Sequence, residues 1–324
     1  MIYPHHLSVI HPRILSVSRA TDIPAFYSDW FMKRLRQGWC LWKNPFNPTQ
    51  IQKVVFTHCR AVVFWSKNPA PLFPFLREMD ERGLSYYFQF TLNDYEEEGL
   101  EPCLPPLIKR IDIFQRLSEQ IGPHRVIWRF DPLIVGKKLS VSSILEKIGR
   151  LGTALSAYTE RLIFSFLDPY KKAMNKLHAI DPSFRPPTNE EETALAEGIA
   201  RLNSFWPHSL SLATCAETAD FEKLGIQHAA CIDPSLLLRI NPEDSDLAKL
   251  YAGTRQCHFP GAFSATRLYI KDSGQRKLCN CAPSKDIGAY GTCPHMCTYC
   301  YANTSSARTL RFFIAHDSDS SLLI

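Results

Sequence analysis

Along roughly its first 215 residues the chain alternates between two kinds of segment. Short runs rich in β-branched and aromatic residues are followed by longer stretches with helical periodicity. The short runs cover residues 14–18, 61–66, 85–91, 125–130, 161–167 and 208–214. They are apolar at consecutive positions, as in Ala61-Val62-Val63-Phe64-Trp65, which is the pattern of strands buried on both faces of a parallel sheet. Helical stretches at 71–82, 107–120, 141–159 and 190–205 follow the second to fifth runs, and a helix containing residues 26–36 follows the first. The order βαβα predicts an α/β fold with a parallel sheet. Six strand–helix units are too few for a closed eight-stranded barrel, so a curved, partly open barrel and a doubly wound sheet both fit. In either, ligands sit at the carboxyl ends of the strands.

Other segments read differently. Residues 181–192, with Pro182, Pro186 and Pro187, form a loop, and 241–275 has weak periodicity. The end of the chain, Asp317-Ser318-Asp319-Ser320-Ser321, reads as a solvated tail. The expected organisation is a βα-repeat core over 1–215, a cysteine-rich segment over 216–303 that completes the core, and a flexible tail over 304–324.

Composition narrows the class. Of 324 residues, 45% are hydrophobic, so a large core can be buried. No run approaches about 18 apolar residues, so no transmembrane helix is expected, and the N-terminus lacks the cationic start of a secretory signal. A net charge of +5 spread over this length permits an anionic substrate without demanding one. No basic stripe supports nucleic-acid binding. There is no Gly-x-Ser-x-Gly, phosphate-cradling glycine loop or Gly-x-Gly-x-x-Gly.

The 11 cysteines carry the chemistry. Their odd number and the missing signal argue against a disulfide scaffold and for a cytoplasmic, reducing setting. Cys40, Cys59 and Cys103 read as inert thiols. Cys293, Cys297 and Cys300 stand in Cys-x3-Cys-x2-Cys spacing, with Tyr299 before the last. Three thiolates so close together can hold three irons of a 4Fe-4S cluster, leaving the fourth open. The same three with His295 or another cysteine can instead hold zinc, although ligands flanking His295 on both sides make that geometry awkward. Cys215, Cys231 and the pair Cys279 and Cys281 supply four more thiolates. They suit a second 4Fe-4S cluster or a zinc ion, with Cys257 a substitute ligand, or else are two buried thiols and an incidental pair. After the first strand, Ser18-Arg19-Ala20-Thr21-Asp22 is a polar turn in which Arg19 suits a carboxylate or phosphate, while Thr21 or Asp22 suits a helix cap. Lys43 is a weaker anion candidate.

Two resemblances add to this reading. The Cys293–Cys297–Cys300 motif resembles the cluster loop of the radical S-adenosylmethionine enzymes, in which the open iron chelates S-adenosylmethionine and the cluster's electron releases a 5′-deoxyadenosyl radical. The whole chain resembles a family of unknown function whose C-terminal cysteines mimic that loop. The segments Val63-Phe64-Trp65-Ser66-Lys67-Asn68, Phe88-Gln89-Phe90-Thr91-Leu92, Leu100-Glu101-Pro102 and Arg110-Ile111 resemble parts of the spore photoproduct lyase group. Radical enzymes carry the motif near the N-terminus. Its place here implies a circularly permuted, partial (β/α)6 TIM-type barrel, with residues 286–290 as the strand that otherwise comes first. The resemblance implies a mouth in which Arg19, Lys67, Gln89, Arg129 and Asp131 act on substrate, and Ser18, Asp22, Glu101 and Tyr299 hold S-adenosylmethionine. It also implies an electron donor such as ferredoxin or flavodoxin, and leaves a nucleic-acid substrate weakly supported. The rival functions are a zinc-stabilised interaction module and an iron–sulfur protein that performs no catalysis.

Overall fold

A computed structural model describes residues 7–249, 270–303 and 305–324. The chain enters through β1 (Ser8–Ile10) and β2 (Ile14–Val17), then α1 (Ile23–Phe26) and α2 (Ser28–Gln37). A hairpin of β3 (Trp39–Lys43) and β4 (Ile51–Val55) pairs with β1 in a small three-stranded sheet. The main sheet continues with β5 (Ala61–Ser66), α3 (Leu76–Glu81), β6 (Ser85–Thr91), α4 (Leu107–Ile121) and β7 (Val126–Leu133). Then follow α5 (Val141–Leu155), β8 (Arg161–Phe166), α6 (Lys171–Ile180), α7 (Asn189–Asn203), β9 (Ser211–Thr214) and β10 (Ile226–His228). Short helices α8 (Pro234–Ile240) and α9 (Ser245–Ala248), the two-residue strand β11 (Lys285–Asp286) and α10 (Ser306–Ile314) complete the described chain.

The main sheet has eight strands in the order β10-β9-β8-β7-β6-β5-β2-β11, every pair parallel. From β2 to β10 the order follows the chain without reversal, so the doubly wound alternative is excluded, because that fold reverses at a switch point. β11 reaches back from the C-terminal region to pair with β2, through Lys285 opposite Leu15 and Asp286 opposite Ser16. Among the described residues β10 and β11 do not pair with each other, so no closed barrel forms.

The two faces of the sheet differ in size and polarity. Val62, Phe64, Tyr86, Phe88, Trp128, Phe130, Leu162 and Phe164 point to the larger core beneath the helices. The alternate positions, Ala61, Val63, Tyr87, Ile127, Ile163 and Ala213, point to a smaller core. That second face is covered by Ala229, Cys231, Ile232, the helices α8 and α9, and Cys279–Ala282. The cysteine-rich segment is thus the lid on one face of the sheet. Continuing the same period of two toward the strand ends gives Trp65, Gln89, Arg129, Ser165 and Cys215, where polar and thiol groups replace aliphatic ones.

Four of the six expected strands and all of the expected helices are found to within a turn. The differences have local causes. The strand expected at 125–130 runs on to Leu133, and the one expected at 208–214 begins at Ser211. The loop expected over 181–192 ends earlier, because Thr188 and Glu191 form a capping box that starts α7 at Asn189. Helix α6, strands β1, β4 and β10 and the helices beyond 230 went unread, being short or weakly periodic, and the strand expected at 286–290 is confined to β11 at Lys285–Asp286. The tail expected to be solvated instead carries α10 and docks. Trp30 Nε1 donates to the carbonyl of Ser320 at 2.9 Å, Lys33 pairs with Asp319 at 2.7 Å, and Leu323 is buried. The polar Asp-Ser string hides its role because its carbonyls, not its side chains, meet the core residue Trp30.

Helix α5 packs on α7 and on Trp206, whose ring lies 5.8 Å from that of Trp128. A Cβ at Gly152 would stand 1.9 Å from the Trp206 ring. Gly152→Ala therefore forces the indole out of a filled core and should lower stability by about 1–3 kcal/mol, read as a fall in melting temperature. An unchanged melting temperature would show that Trp206 repacks freely.

Candidate functional site

One cavity of about 450 Å³ opens at the carboxyl ends of β2, β5, β6, β7 and β8. Its lining includes seven cysteines from two separate parts of the chain: Cys293, Cys297 and Cys300 from one loop, and Cys215, Cys231, Cys279 and Cys281. Arg19, Lys67, Arg129, Asp131, Ser18, Asp22 and Tyr299 line it too. Two expected members do not. Gln89 is buried beneath, donating from Nε2 to the carbonyl of Cys231 at 2.9 Å. Glu101 is buried behind Tyr299. Lys43 stands outside the cavity lining, and Cys257 lies outside the described residues.

The three-cysteine loop is pinned on several sides. Thr298 N donates to the carbonyl of Leu100 at 2.9 Å, and Tyr27 Oη to that of Thr292 at 2.6 Å. Asn303 donates to the carbonyl of Cys293 at 2.6 Å, and Gly291 N to that of Ala302 at 2.9 Å. His295 is buried in the loop and meets Asp22 through Nε2 at 2.8 Å. The same Asp22 carboxylate accepts from Lys67 N at 2.7 Å and caps α1 through Ala25 N. Of the two roles expected at this segment the structure shows the cap, with Asp22 rather than Thr21 as the capping residue.

Tyr299 ties the loop to a buried ion cluster. Its hydroxyl donates to Glu101, which also meets Lys67 Nζ at 2.7 Å and Arg110 at 3.3 Å. Asn93 donates to Glu101 and to Tyr299 at 3.2 and 3.1 Å. Burial pushes the Glu101 carboxyl up, but Lys67 and Arg110 outweigh it and hold it below the ordinary carboxylate range.

The four-cysteine group is held from below. Tyr87 Oη donates to the carbonyl of Cys231 at 2.6 Å, alongside Gln89. The sulfurs of Cys215 and Cys231 are 3.4 Å apart, and Ile232 N donates to Cys281 Sγ at 3.3 Å. Arg129 donates to Cys231 Sγ at 3.1 Å and pairs with Asp131, which also accepts from Ser165. Arg19 and Arg129 flank the ring of Trp65, 5.0 and 5.3 Å from its centre. Trp65 and Ser165 were not singled out from the sequence. The signal was available, since both occupy the inward phase of their strands.

Buried thiols resist ionisation here. Burial and the nearby Asp22 push Cys293 up to about 12, and burial raises Cys297 well above its ordinary value. Cys279 is drawn down to about 7 by its hydrogen bond with Cys281. A bound metal would stabilise these thiolates, so binding is coupled to proton release. Among the described residues no three His, Cys, Asp or Glu side chains stand round one point as they do about a single ion. A cubane holds its cysteines on different irons and spaces their sulfurs more widely. The soft donor set, all thiol, fits iron–sulfur or zinc and not a hard cation. Cys40 and Cys59, by contrast, are buried away from the cavity, pushed up to about 12 by burial, as expected of inert thiols.

Glu101→Ala leaves Lys67 without its carboxylate and Arg110 with Glu96 alone, and should destabilise by about 3–5 kcal/mol. Arg77→Ala, which breaks an exposed helical pair with Glu81, should change stability by about 0.5 kcal/mol or less. Because the folded-state carboxyl of Glu101 is held low, its contribution is complete above the ordinary carboxylate pKa and lost as pH falls below it. Melting temperature against pH should therefore drop more steeply below about pH 4 in the wild type than in Glu101→Ala. Parallel curves would remove Glu101 from this role.

No described helix is long and apolar enough to cross a membrane. No curated protein and no solved structure matches the chain. A family model described as a domain of unknown function, DUF1848, matches residues 14–302. With the match spanning nearly the whole sheet and both cysteine groups, the chain belongs to the DUF1848 family.

Proposed function

We propose that the protein is an iron–sulfur enzyme of the radical S-adenosylmethionine type. One observation carries this reading: Cys293, Cys297 and Cys300 line one cavity at the carboxyl end of a parallel sheet, while His295 in the same loop is turned to Asp22. A 4Fe-4S cluster on three cysteines keeps one iron open, which in the radical enzymes supplies the electron that splits S-adenosylmethionine into methionine and a 5′-deoxyadenosyl radical. The chain's own residues orient and enclose. Tyr299, Glu101 and Lys67 hold the loop rigid, and the Arg129–Asp131–Ser165 group fixes charge on the opposite wall. The pairing of β11 with β2 supports a permuted partial barrel, in which residues 216–303 complete the core begun by 1–215. The reading implies a ferredoxin or flavodoxin as donor and a reducing, cytoplasmic setting.

Cys215, Cys231, Cys279 and Cys281 are assigned a second, fully ligated centre. Four thiolates leave it net negative, and Arg129, hydrogen-bonded to Cys231, offsets part of that charge. A structural zinc is the second reading for this centre alone, since its donors are all thiols.

The test is anaerobic purification with iron, sulfide and zinc quantified, then reduction with S-adenosylmethionine and assay of 5′-deoxyadenosine. Two clusters give about eight irons and eight sulfides per chain, and one cluster beside zinc gives about four. Cys297→Ala should lose about four irons and all 5′-deoxyadenosine. Cys281→Ala should lose the metal of the second centre and keep the first. Zinc without sulfide, or full iron in Cys297→Ala, would overturn the assignment.

A further inference from the structure

The other charges of the cavity are matched. Lys67 meets Glu101, Arg129 meets Asp131, Arg276 meets Asp168, and His295 meets Asp22. Arg19 stacks on Trp65 and meets the thiol of Cys281, but among the described residues it has no carboxylate within ion-pair distance of its guanidinium. Its Nη2 is buried and makes no hydrogen bond. A second buried polar atom of the same lining, the hydroxyl Thr21 Oγ1, is also without a partner. Buried donors left unmet are costly, and the two on this lining are matched at once by an oxygen-rich anion.

The mouth is different in kind. Tyr301 and Tyr170 line it with rings 5.8 Å apart, 46% and 48% exposed. Tyr290 and Phe46 continue the row at 6.0 and 5.9 Å. Tyr301 Oη donates to the backbone carbonyl of Arg19 at 3.3 Å, so the aromatic rim and the unmatched cation belong to one wall. Exposed rings in a row offer faces on which a flat ring stacks.

We propose that the cavity takes as substrate a small anion carrying a flat ring, its carboxylate or phosphate oxygens on Arg19 and its ring on Tyr301 and Tyr170. The inference rests on reading this cavity as the substrate site, and not on the chemistry performed there.

The experiment is calorimetric titration of the anaerobically purified full chain with phenyl phosphate, benzoate, inorganic phosphate and phenol, with and without saturating S-adenosylmethionine. Phenyl phosphate or benzoate, whichever headgroup fits, should bind at least about tenfold more tightly than phosphate or phenol, since two contacts act together. The stronger of the two tells phosphate from carboxylate. Arg19→Met should bring the ring-bearing anion to the level of phenol, and Arg19→Lys should recover part of the loss. Tyr301→Leu should weaken the ring-bearing anion and leave inorganic phosphate unchanged. Iron content and melting temperature, measured on each variant, separate loss of the site from loss of the fold. Equal binding of the ring-bearing and ring-free anions, unchanged affinity in both Arg19 variants, or displacement by S-adenosylmethionine would overturn the proposal. None of these outcomes depends on whether 5′-deoxyadenosine forms.

Discussion

Glu101 accepts hydrogen bonds from Lys67, Tyr299 and Arg110 in a place without solvent contact, and each partner belongs to a different part of the fold. Lys67 follows β5, Arg110 lies in α4, and Tyr299 lies between two cysteines of the C-terminal loop. A buried carboxylate is tolerated only where its charge is met, so the three elements must stand where they do for the carboxylate to be buried at all. The cysteine loop is thereby fixed against the end of the sheet by electrostatics as well as by its backbone hydrogen bonds.

The second constraint is the period of two along the strands. Each strand contributes bulky residues to the helix-covered core and smaller ones to the other face. Toward the carboxyl ends the smaller face turns polar, through Trp65, Gln89, Arg129, Ser165 and Cys215. Trp65 and Cys215 pack on the edge of the smaller core, and the segments carrying Cys231, Cys279 and Cys281 cover that face. Packing and site therefore share one surface. Gln89 shows the overlap: it lies in the inward phase, yet serves by holding the Cys231 backbone and not by facing the cavity.

Much of the scaffold was legible because long apolar runs and helical periodicity are local signals. Residues 61–66 and 85–91 were read to the residue. What went unread or was read with the wrong bounds was short or held by distant partners. β11 is two residues long and exists because Ser16 and the backbone N–H of Arg19 donate to Asp286. The C-terminal tail looked solvated because its polar side chains conceal that Trp30, Arg34 and Leu41 bond its carbonyls. The site was legible in part. Cysteine spacing is a local pattern, so Cys293, Cys297 and Cys300 stood out, whereas the roles of Trp65 and Ser165 depend on which face each strand turns inward.

The sequence by itself determined the βα alternation, the parallel sheet it demands and the identity of the thiol donors. These follow from periodicity and from residue chemistry over a few neighbouring positions. Only the tertiary structure decided that the sheet runs without reversal, that its last strand returns to pair with β2, and that both cysteine groups share one cavity. It also decided which charges are matched, leaving Arg19 without a carboxylate while Lys67 and Arg129 each have one. Lys67 and Glu101 are far apart in sequence and Arg129 and Asp131 are near neighbours, but burial, which sets the strength of both pairs, is a property of the packed chain and not of any segment.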